Sequence, residues 1–172
     1  MIIKLKDNEF EFKGINRTRI SARGFILNDK NEVLLNLIRR EDSLDEYPYF
    51  ESPGGGMKEN EDLIDCLRRE IKEETGYIIK DIRYLGEIRD YYNVLYMKNI
   101  SHYYYARIES HSISSKDEYE KNVIIGNGFY DIDSAINNLK SAKGKIGRLV
   151  SRRESIMLEE LKNLLEGGKL WN

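Results

Sequence analysis

The stretch from Pro53 to Tyr77 restricts the fold more than any other part of this 172-residue chain. Its opening run, Pro53-Gly54-Gly55-Gly56, ends the regular element before it. A helix is predicted next, because Asp62 is a good N-cap and Gly76 can adopt the positive φ of a residue just past a helix end. The apolar side chains between these ends share one helix face, at Leu63, Ile64, Leu67 and Ile71. The segment therefore predicts a glycine loop followed by a helix that buries one side.

Three glutamates crowd the last turns of this helix. At about 100° per residue they form an arc along one edge of the apolar face, at Glu70, Glu73 and Glu74. Like charges three or four positions apart repel one another, and the negative end of the helix dipole disfavours them further. A divalent cation such as Mg²⁺ or Mn²⁺ removes this cost, because it takes oxygen ligands, and Arg69 can orient one carboxylate. A solvated acidic helix face is the alternative interpretation.

Composition narrows the classes of function. Lys and Arg number 28 against 30 Asp and Glu, so a net charge of −2 gives no reason to expect duplex nucleic acid as a partner. Two histidines and one cysteine are too few for a structural zinc site, so any metal is expected to be held by oxygen. No run is long and apolar enough to cross a bilayer, and the start lacks a signal segment, which predicts a cytoplasmic protein. No linker or repeat marks a boundary, so we expect one domain over residues 1–172.

Strand-like and helix-like segments alternate irregularly, which predicts a mixed sheet packed against helices. The sequence predicts a hairpin from Ile2–Leu5 and Phe10–Phe12, and a second hairpin from Arg17–Leu27 and Val33–Ile38. The polar stretch Arg39–Tyr47 is predicted to be a loop. The remaining prediction comprises extended segments over Ile78–Tyr84, Leu85–Arg89, His102–Ile108 and Phe129–Ile132, a polar loop over Glu109–Asn122, a helix over Asp133–Lys140 capped by Asp133 or Ser134, and a helix over Ser151–Leu165.

The glycine loop and acidic helix resemble the signature of the Nudix hydrolases, of which MutT-like enzymes are members. That signature is G-x5-E-x7-R-E-U-x-E-E-x-G-U, where U is a bulky aliphatic residue. The matching positions are Gly55, Glu61, Arg69, Glu70, Ile71, Glu73, Glu74 and Gly76. Tyr77 departs from the aliphatic type at the last position, which concerns packing more than chemistry. Phe50–Gly54 and Phe129–Asp133 resemble segments that flank the signature in many members.

The resemblance implies an α/β/α sandwich around a central mixed sheet. It also implies Mg²⁺-dependent hydrolysis of a diphosphate bond in a nucleoside diphosphate linked to another group, with Mn²⁺ as a substitute. By family analogy Glu70 and Glu74 are direct metal ligands, the Gly55 carbonyl is another, and Glu73 is a further ligand or the base that orients water. Arg69 completes the predicted catalytic set of Glu70, Glu73 and Arg69 in a structural role. A Nudix-fold sensor without catalysis is the alternative function.

Substrate contacts are predicted at four positions. Arg39 and Lys58 are candidates for phosphate contacts, although solvated side chains explain them equally well. Phe50 is a candidate for stacking on a base, and Tyr92 follows the signature at a distance seen in members that act on dinucleoside polyphosphates. Glu118 or Glu120 is a candidate for the remote general base that some members use, against the simpler interpretation of solvated loop acids. The expected partner is a small nucleotide substrate, and a homodimer is left open.

Overall fold

The computed structural model describes residues 1–40 and 47–171. Within this part, eight strands form one sheet and four α-helices pack around it. The strands are β1 (Ile2–Lys4), β2 (Arg17–Leu27), β3 (Val33–Ile38), β4 (Tyr49–Glu51), β5 (Gly54–Gly56), β6 (Tyr77–Tyr92), β7 (Met97–His111) and β8 (Ile124–Tyr130). The helices are α1 (Leu63–Thr75), α2 (Glu118–Val123), α3 (Ile132–Lys140) and α4 (Lys145–Glu166), with a short 3₁₀ helix over Asn93–Leu95.

The sheet is mixed, as the sequence predicts. Its main order is β1-β6-β7-β2-β3-β4, while β5 pairs with β2 and β8 pairs with β3. β1 is parallel to β6 and β2 is parallel to β7, whereas the other pairs are antiparallel. β2 pairs with β7 along its whole length, from Arg17 opposite Met97 to Leu27 opposite Arg107. β2 therefore lies inside the sheet, next to both β7 and β5.

Helices cover both faces of the sheet because the side chains of β2 alternate in direction. Ala22 and Ile26 face α1 and form one core with its buried side chains, which include Cys66, Leu67 and Ile71. Phe25 and Leu27 face the opposite side, where they pack against buried residues of α3 and α4 that include Leu139, Met157, Leu158 and Leu161. The predicted α/β/α sandwich is therefore confirmed. Among the described residues, none of the helices has the length and apolarity to span a membrane.

The predicted N-terminal hairpin is wrong. β1 pairs instead in parallel with β6, where Ile2 lies opposite Glu87 and Lys4 opposite Arg89. The Asp7 side chain accepts hydrogen bonds from the backbone N–H groups of Glu9 and Phe10, at 2.8 and 3.0 Å. This local turn stops the strand, and no second strand follows it before β2.

Several element boundaries also differ from the prediction. Residues 54–56 form β5 rather than only a break, because three glycines lie against β2 without side chains to clash. The predicted extended segments Ile78–Tyr84 and Leu85–Arg89 join into the single long strand β6. β7 continues to His111, α2 interrupts the predicted polar loop, and α4 begins at Lys145. Most of the loop predicted over Arg39–Tyr47 lies outside the described residues.

Candidate active site

α1 places the acidic side chains of the site, and its ends form as predicted. The Asp62 side chain accepts hydrogen bonds from the backbone N–H groups of Ile64 and Asp65, both at 2.8 Å. Gly76 has φ of 79°, and its N–H donates to the carbonyl of Lys72. These two ends fix the length of the helix, and its apolar face fixes the rotation, so the glutamates lie beside the sheet.

Glu70 is packed closely against the glycine loop. Its residue is only 8% exposed, and its carboxylate lies directly against Gly55 on β5. A Cβ added to Gly55 would lie 2.4 Å from the carboxyl carbon of Glu70. Only glycine therefore lets the loop backbone approach the carboxylate this closely.

Arg69 binds three carboxylates at once. Its Nε and Nη2 donate to the two carboxylate oxygens of Glu61, at 2.6 and 2.9 Å. Its Nη1 donates to Glu70 at 2.6 Å and to Glu73 at 3.1 Å. The hydrogen bond from Arg69 lowers the pKa of Glu61 to about 2, outweighing the opposite effect of burial. One guanidinium thus orients the acids and offsets part of their repulsion.

A second helix, α2, brings a further acid to this group. One carboxylate oxygen from each of Glu70, Glu73 and Glu120 lies within 4.8 Å of the others, and we call these three residues the carboxylate cluster. Glu120 belongs to the capping box of α2, where it accepts from the N–H of Asp117 at 2.8 Å. Burial, and the negative charges of Asp117, Glu70 and Glu73, raise the pKa of Glu120, and the Asp117 N–H offsets only part of this.

Backbone contacts hold the segment before α2 against the end of α1. The Ser115 N–H donates to the carbonyl of Glu73 at 3.1 Å, and the Ser112 N–H donates to the carbonyl of Gly76 at 2.7 Å. The segment between β7 and α2 therefore places Glu120 close to the end of α1. No local pattern around Glu120 marks it, and sequence reasoning favoured a solvated loop acid at this position.

Glu74 and Gly55, two predicted metal ligands, have other partners here. The Glu74 carboxylate is buried and accepts hydrogen bonds from the Asn36 side chain at 2.9 Å and from the Gly54 N–H at 3.0 Å. Burial raises its pKa to about 8, with nearby Glu51 adding to the shift and Arg23 opposing it. The Gly55 carbonyl accepts from the Cys66 thiol, at 3.5 Å. The structure brings Glu70 and Glu73 together with Glu120, while Glu74 lines the same cavity as Glu70 and Glu120.

A cavity of about 300 Å³ opens beside the carboxylate cluster. Its lining includes Glu70, Glu74 and Glu120, and also Arg19 of β2. A Cβ added to Gly56 would lie 3.2 Å from Nε of Arg19, which shows how near this arginine is to the glycine loop. Within the described residues no carboxylate pairs with Arg19, so its charge is available to a phosphate.

Of the four predicted substrate contacts, only Tyr92 lines the cavity. Tyr92 is buried, and its hydroxyl accepts a hydrogen bond from Arg153. Lys58 is exposed and its Nζ lies 4.0 Å from Glu73, at the rim of the cluster.

The other two predicted residues, Phe50 and Arg39, lie next to residues that line the cavity. Phe50 packs edge to face on Tyr130, with ring centroids 5.7 Å apart, while its neighbour Tyr49 lines the cavity. Arg39 is exposed, while Arg40 lines the cavity. Successive side chains of an extended chain point to opposite sides, so the preceding or following residue reaches the cavity instead.

A buried ionic group holds the chain that leads into the glycine loop. Arg23 donates to the Ser52 carbonyl at 2.9 Å, and Glu154 of α4 accepts from the Ser52 N–H at 3.1 Å. Arg23 and Glu154 also face each other at 3.1 Å, and both are almost completely buried. The backbone just before Gly54 is thereby fixed from two sides, by β2 and by α4.

The comparisons with known proteins identify the family and the fold. A family model described as a NUDIX domain matches residues 17–149, although no curated protein matches the sequence significantly. A NUDIX hydrolase from Nitrosomonas europaea superposes with a TM-score of 0.65 at 15% identity, over 84% of this chain and 88% of that one. A MutT NUDIX hydrolase from Burkholderia pseudomallei gives 0.64 at 17% identity, over 85% and 99%.

A MutT protein from Methanosarcina mazei Go1 superposes with a TM-score of 0.59 at 20% identity, over 89% of this chain and 97% of that one. At these identities the three structures show the fold alone. The family model, however, extends over most of the chain, from β2 into α4, and includes the glycine loop and the acidic helix. By its sequence and its fold, the chain therefore belongs to the Nudix hydrolase family.

Proposed function

We propose that this protein hydrolyses a diphosphate bond in a nucleoside diphosphate linked to a second group, with Mg²⁺ as the cofactor and Mn²⁺ as a substitute. The observation that carries the proposal is the carboxylate cluster, whose three oxygens converge to within 4.8 Å beside a cavity. Membership of the Nudix hydrolase family supports the same class of reaction. The cytoplasmic location, the single domain and the homodimer stay predictions.

The donor set of the cluster fits a hard divalent cation. Carboxylate oxygens suit Mg²⁺ and Mn²⁺, which keep sites open for water and for substrate phosphates. The absence of a Cβ at Gly55 lets the Glu70 carboxylate lie against the glycine loop, since a Cβ would be 2.4 Å from its carboxyl carbon. When bound, the ion neutralises charge on the phosphates and helps to activate water. Glu70, Glu73 and Glu120 would hold it, and Glu74 and the Gly55 carbonyl are proposed as additional ligands.

The remaining residues position the substrate and the acids. Arg69 orients Glu70 and Glu73 through its hydrogen bonds to both. Arg19, which lies between the glycine loop and the cavity, is placed to contact the diphosphate group. Glu73 or Glu120 would accept the proton of the attacking water, since both are in the cluster and neither is fully buried. Phosphoryl-type transfer of this kind depends mainly on positioning and charge stabilisation.

Substitution of the cluster tests the proposal directly. Glu70→Gln and Glu73→Gln keep the size of each side chain and remove its charge, so turnover of a diphosphate panel with Mg²⁺ should fall by about 100-fold or more. Glu59→Gln is the matched control, because Glu59 is an exposed acid on the loop between β5 and α1. Released phosphate and nucleoside monophosphate are measured.

Two further outcomes separate the proposal from its rivals. Mn²⁺ should raise the melting temperature of the wild type and of Glu59→Gln, because an ion that binds the native state stabilises that state. The increase should be smaller for Glu70→Gln. Full turnover by both cluster variants would contradict the proposed role of these acids. Stabilisation by diphosphates with no product from any of them would instead identify a sensor without catalysis.

A further inference from the structure

Part of the cavity lining is apolar, and we call this part the inner cavity. Its walls are apolar side chains from β3, β4, β8, α4 and the 3₁₀ helix, at Ile38, Tyr49, Leu95, Ile124, Ile146 and Val150. The Tyr49 ring lies against Gly147 of α4, where an added Cβ would be 3.0 Å from the Cβ of Tyr49. Such a slot accepts a flat ring that has apolar faces.

A carboxylate stands on the wall of this slot. Glu51 lies 2.9 Å from Nη2 of Arg23 and 3.5 Å from Nη2 of Arg153, and both contacts are made by its Oε2. Its side chain is 17% exposed, whereas that of Glu154, the other acid bound to these arginines, is 0% exposed. Glu51 is therefore the acid of this buried group that reaches the cavity.

Glu51 has hydrogen-bonding capacity left over. A carboxylate offers about four lone-pair positions. Arg23 lies at hydrogen-bonding distance from Oε2, whereas Arg153, at 3.5 Å from the same oxygen, makes only an ion-pair contact. No described residue donates to its Oε1, and the arginines are themselves held by Glu154, by Tyr92 and by Tyr103. The carboxylate is thus held in place and keeps an acceptor position on each of its two oxygens.

We propose that the inner cavity binds the base of the substrate and selects guanine, whose N1–H and amino N–H donate to the Glu51 carboxylate. This inference rests on the proposed function, since it assigns the nucleoside part of the same substrate. Guanine presents two adjacent N–H donors on one edge. Adenine and cytosine have a ring-nitrogen lone pair beside their amino group, and this lone pair would repel the carboxylate. Uracil has one N–H donor, which lies between two carbonyl groups. Only guanine therefore fills both positions of Glu51.

Binding of nucleoside monophosphates tests the inference without any turnover. Isothermal titration with GMP, IMP and AMP should show GMP binding about tenfold or more tighter than AMP, the size of discrimination that a paired hydrogen-bond contact gives. IMP, which keeps N1–H but lacks the amino group, should fall between them. Equal affinity for GMP and AMP, or no binding of GMP, would overturn the inference.

Variants of Glu51 locate the contact. Glu51→Gln should reduce the preference for GMP over AMP to about twofold or less, because an amide gives up one acceptor, and Glu59→Gln should keep the full preference. Glu51→Asp retains the charge beside both arginines but withdraws the oxygens, so it gives the same test if Glu51→Gln does not fold. Gly147→Ala pushes on Tyr49 and should weaken GMP and AMP alike. A Glu51→Asp protein with the wild-type preference would contradict the assignment.

Hydrolysis of the diphosphate panel distinguishes failure of the guanine inference from failure of the proposed reaction. If guanosine diphosphate derivatives are cleaved faster than their adenosine counterparts, both proposals stand. Cleavage without regard to the base would overturn the guanine inference and leave the proposed reaction intact. A GMP preference in titration with no cleavage of any diphosphate would remove the proposed reaction and retain the base site.

Discussion

Because Gly55 has no side chain, the carboxylate of Glu70 can lie directly against the backbone of residue 55. The carboxylate of Glu70 occupies the space where a Cβ of residue 55 would be, at 2.4 Å. Arg69 then fixes the same carboxylate from the other side through a 2.6 Å hydrogen bond. The position of Glu70 is therefore determined by β5 as much as by the helix that carries it.

Gly55→Ala should damage the reaction far more than it damages the fold. The new methyl group must displace the Glu70 carboxylate, and displacement by about 1 Å in such a site costs about 100-fold in rate. We expect kcat/KM to fall by that order and Mn²⁺ to bind more weakly, as measured by calorimetry. Gly126→Ala is the control, since an added Cβ there meets no atom within 4 Å. Unchanged kcat/KM in Gly55→Ala would contradict the tight packing described.

The sequence predicts which side chains reach the site only where those side chains belong to one helix. The edge shared by Glu70 and Glu73 follows from helical periodicity, and the structure places both acids in the carboxylate cluster. Glu120 enters the cluster because the chain after β7 docks on the end of α1, which no short pattern encodes. Tyr49 and Arg40 line the cavity in place of Phe50 and Arg39, because the sequence alone does not say which face of an extended chain is buried.

At the level of elements, the start of α3 shows how a cap is chosen by geometry among several candidates. The sequence offered Asp133 or Ser134, but the side chain of Asp131 is the one that accepts from the Ser134 N–H, at 2.9 Å. Asp133 lies inside the first turn and pairs with Lys162 of α4 at 2.7 Å. Asp131, Asp133 and Ser134 are all suitable types, so composition could not decide among them.

Asp131→Ala should therefore destabilise the protein more than Asp133→Ala. Loss of the cap should lower the melting temperature by about 3 °C, whereas loss of the exposed ion pair should change it little. Hydrogen bonds from Ser134 lower the pKa of Asp131, so its contribution is present above the unfolded-state pKa and is lost as the pH falls through the folded-state value. Thermal melts from pH 7 to pH 2 should show the Asp131→Ala difference shrinking. A larger effect of Asp133→Ala would reverse the assignment.

Over the whole molecule, α4 does more than cover the sheet. Its amphipathic pattern predicted a packing helix, and it does pack on the sheet through Met157, Leu158 and Leu161. The pattern gave no sign that Glu154, completely buried on the same helix, would bind the backbone before the glycine loop. Buried charges of this kind depend on partners from distant strands, here Arg23 of β2, and so cannot be predicted from one segment.

Glu154→Gln should consequently lower the stability of the whole domain. It leaves Arg23 and Arg153 buried with one carboxylate partner fewer, and removal of one member of a buried ion pair costs about 3 kcal/mol or more. Urea unfolding followed by circular dichroism measures this loss. Glu159→Gln, on the exposed side of α4 where Glu159 pairs with Lys140, should cost less than about 0.5 kcal/mol. Because Glu154 accepts from the Ser52 N–H, amide exchange at Ser52 and in residues 54–56 should also accelerate in Glu154→Gln and not in Glu159→Gln. Equal unfolding free energies for the two variants would show that α4 holds the glycine loop by apolar packing alone.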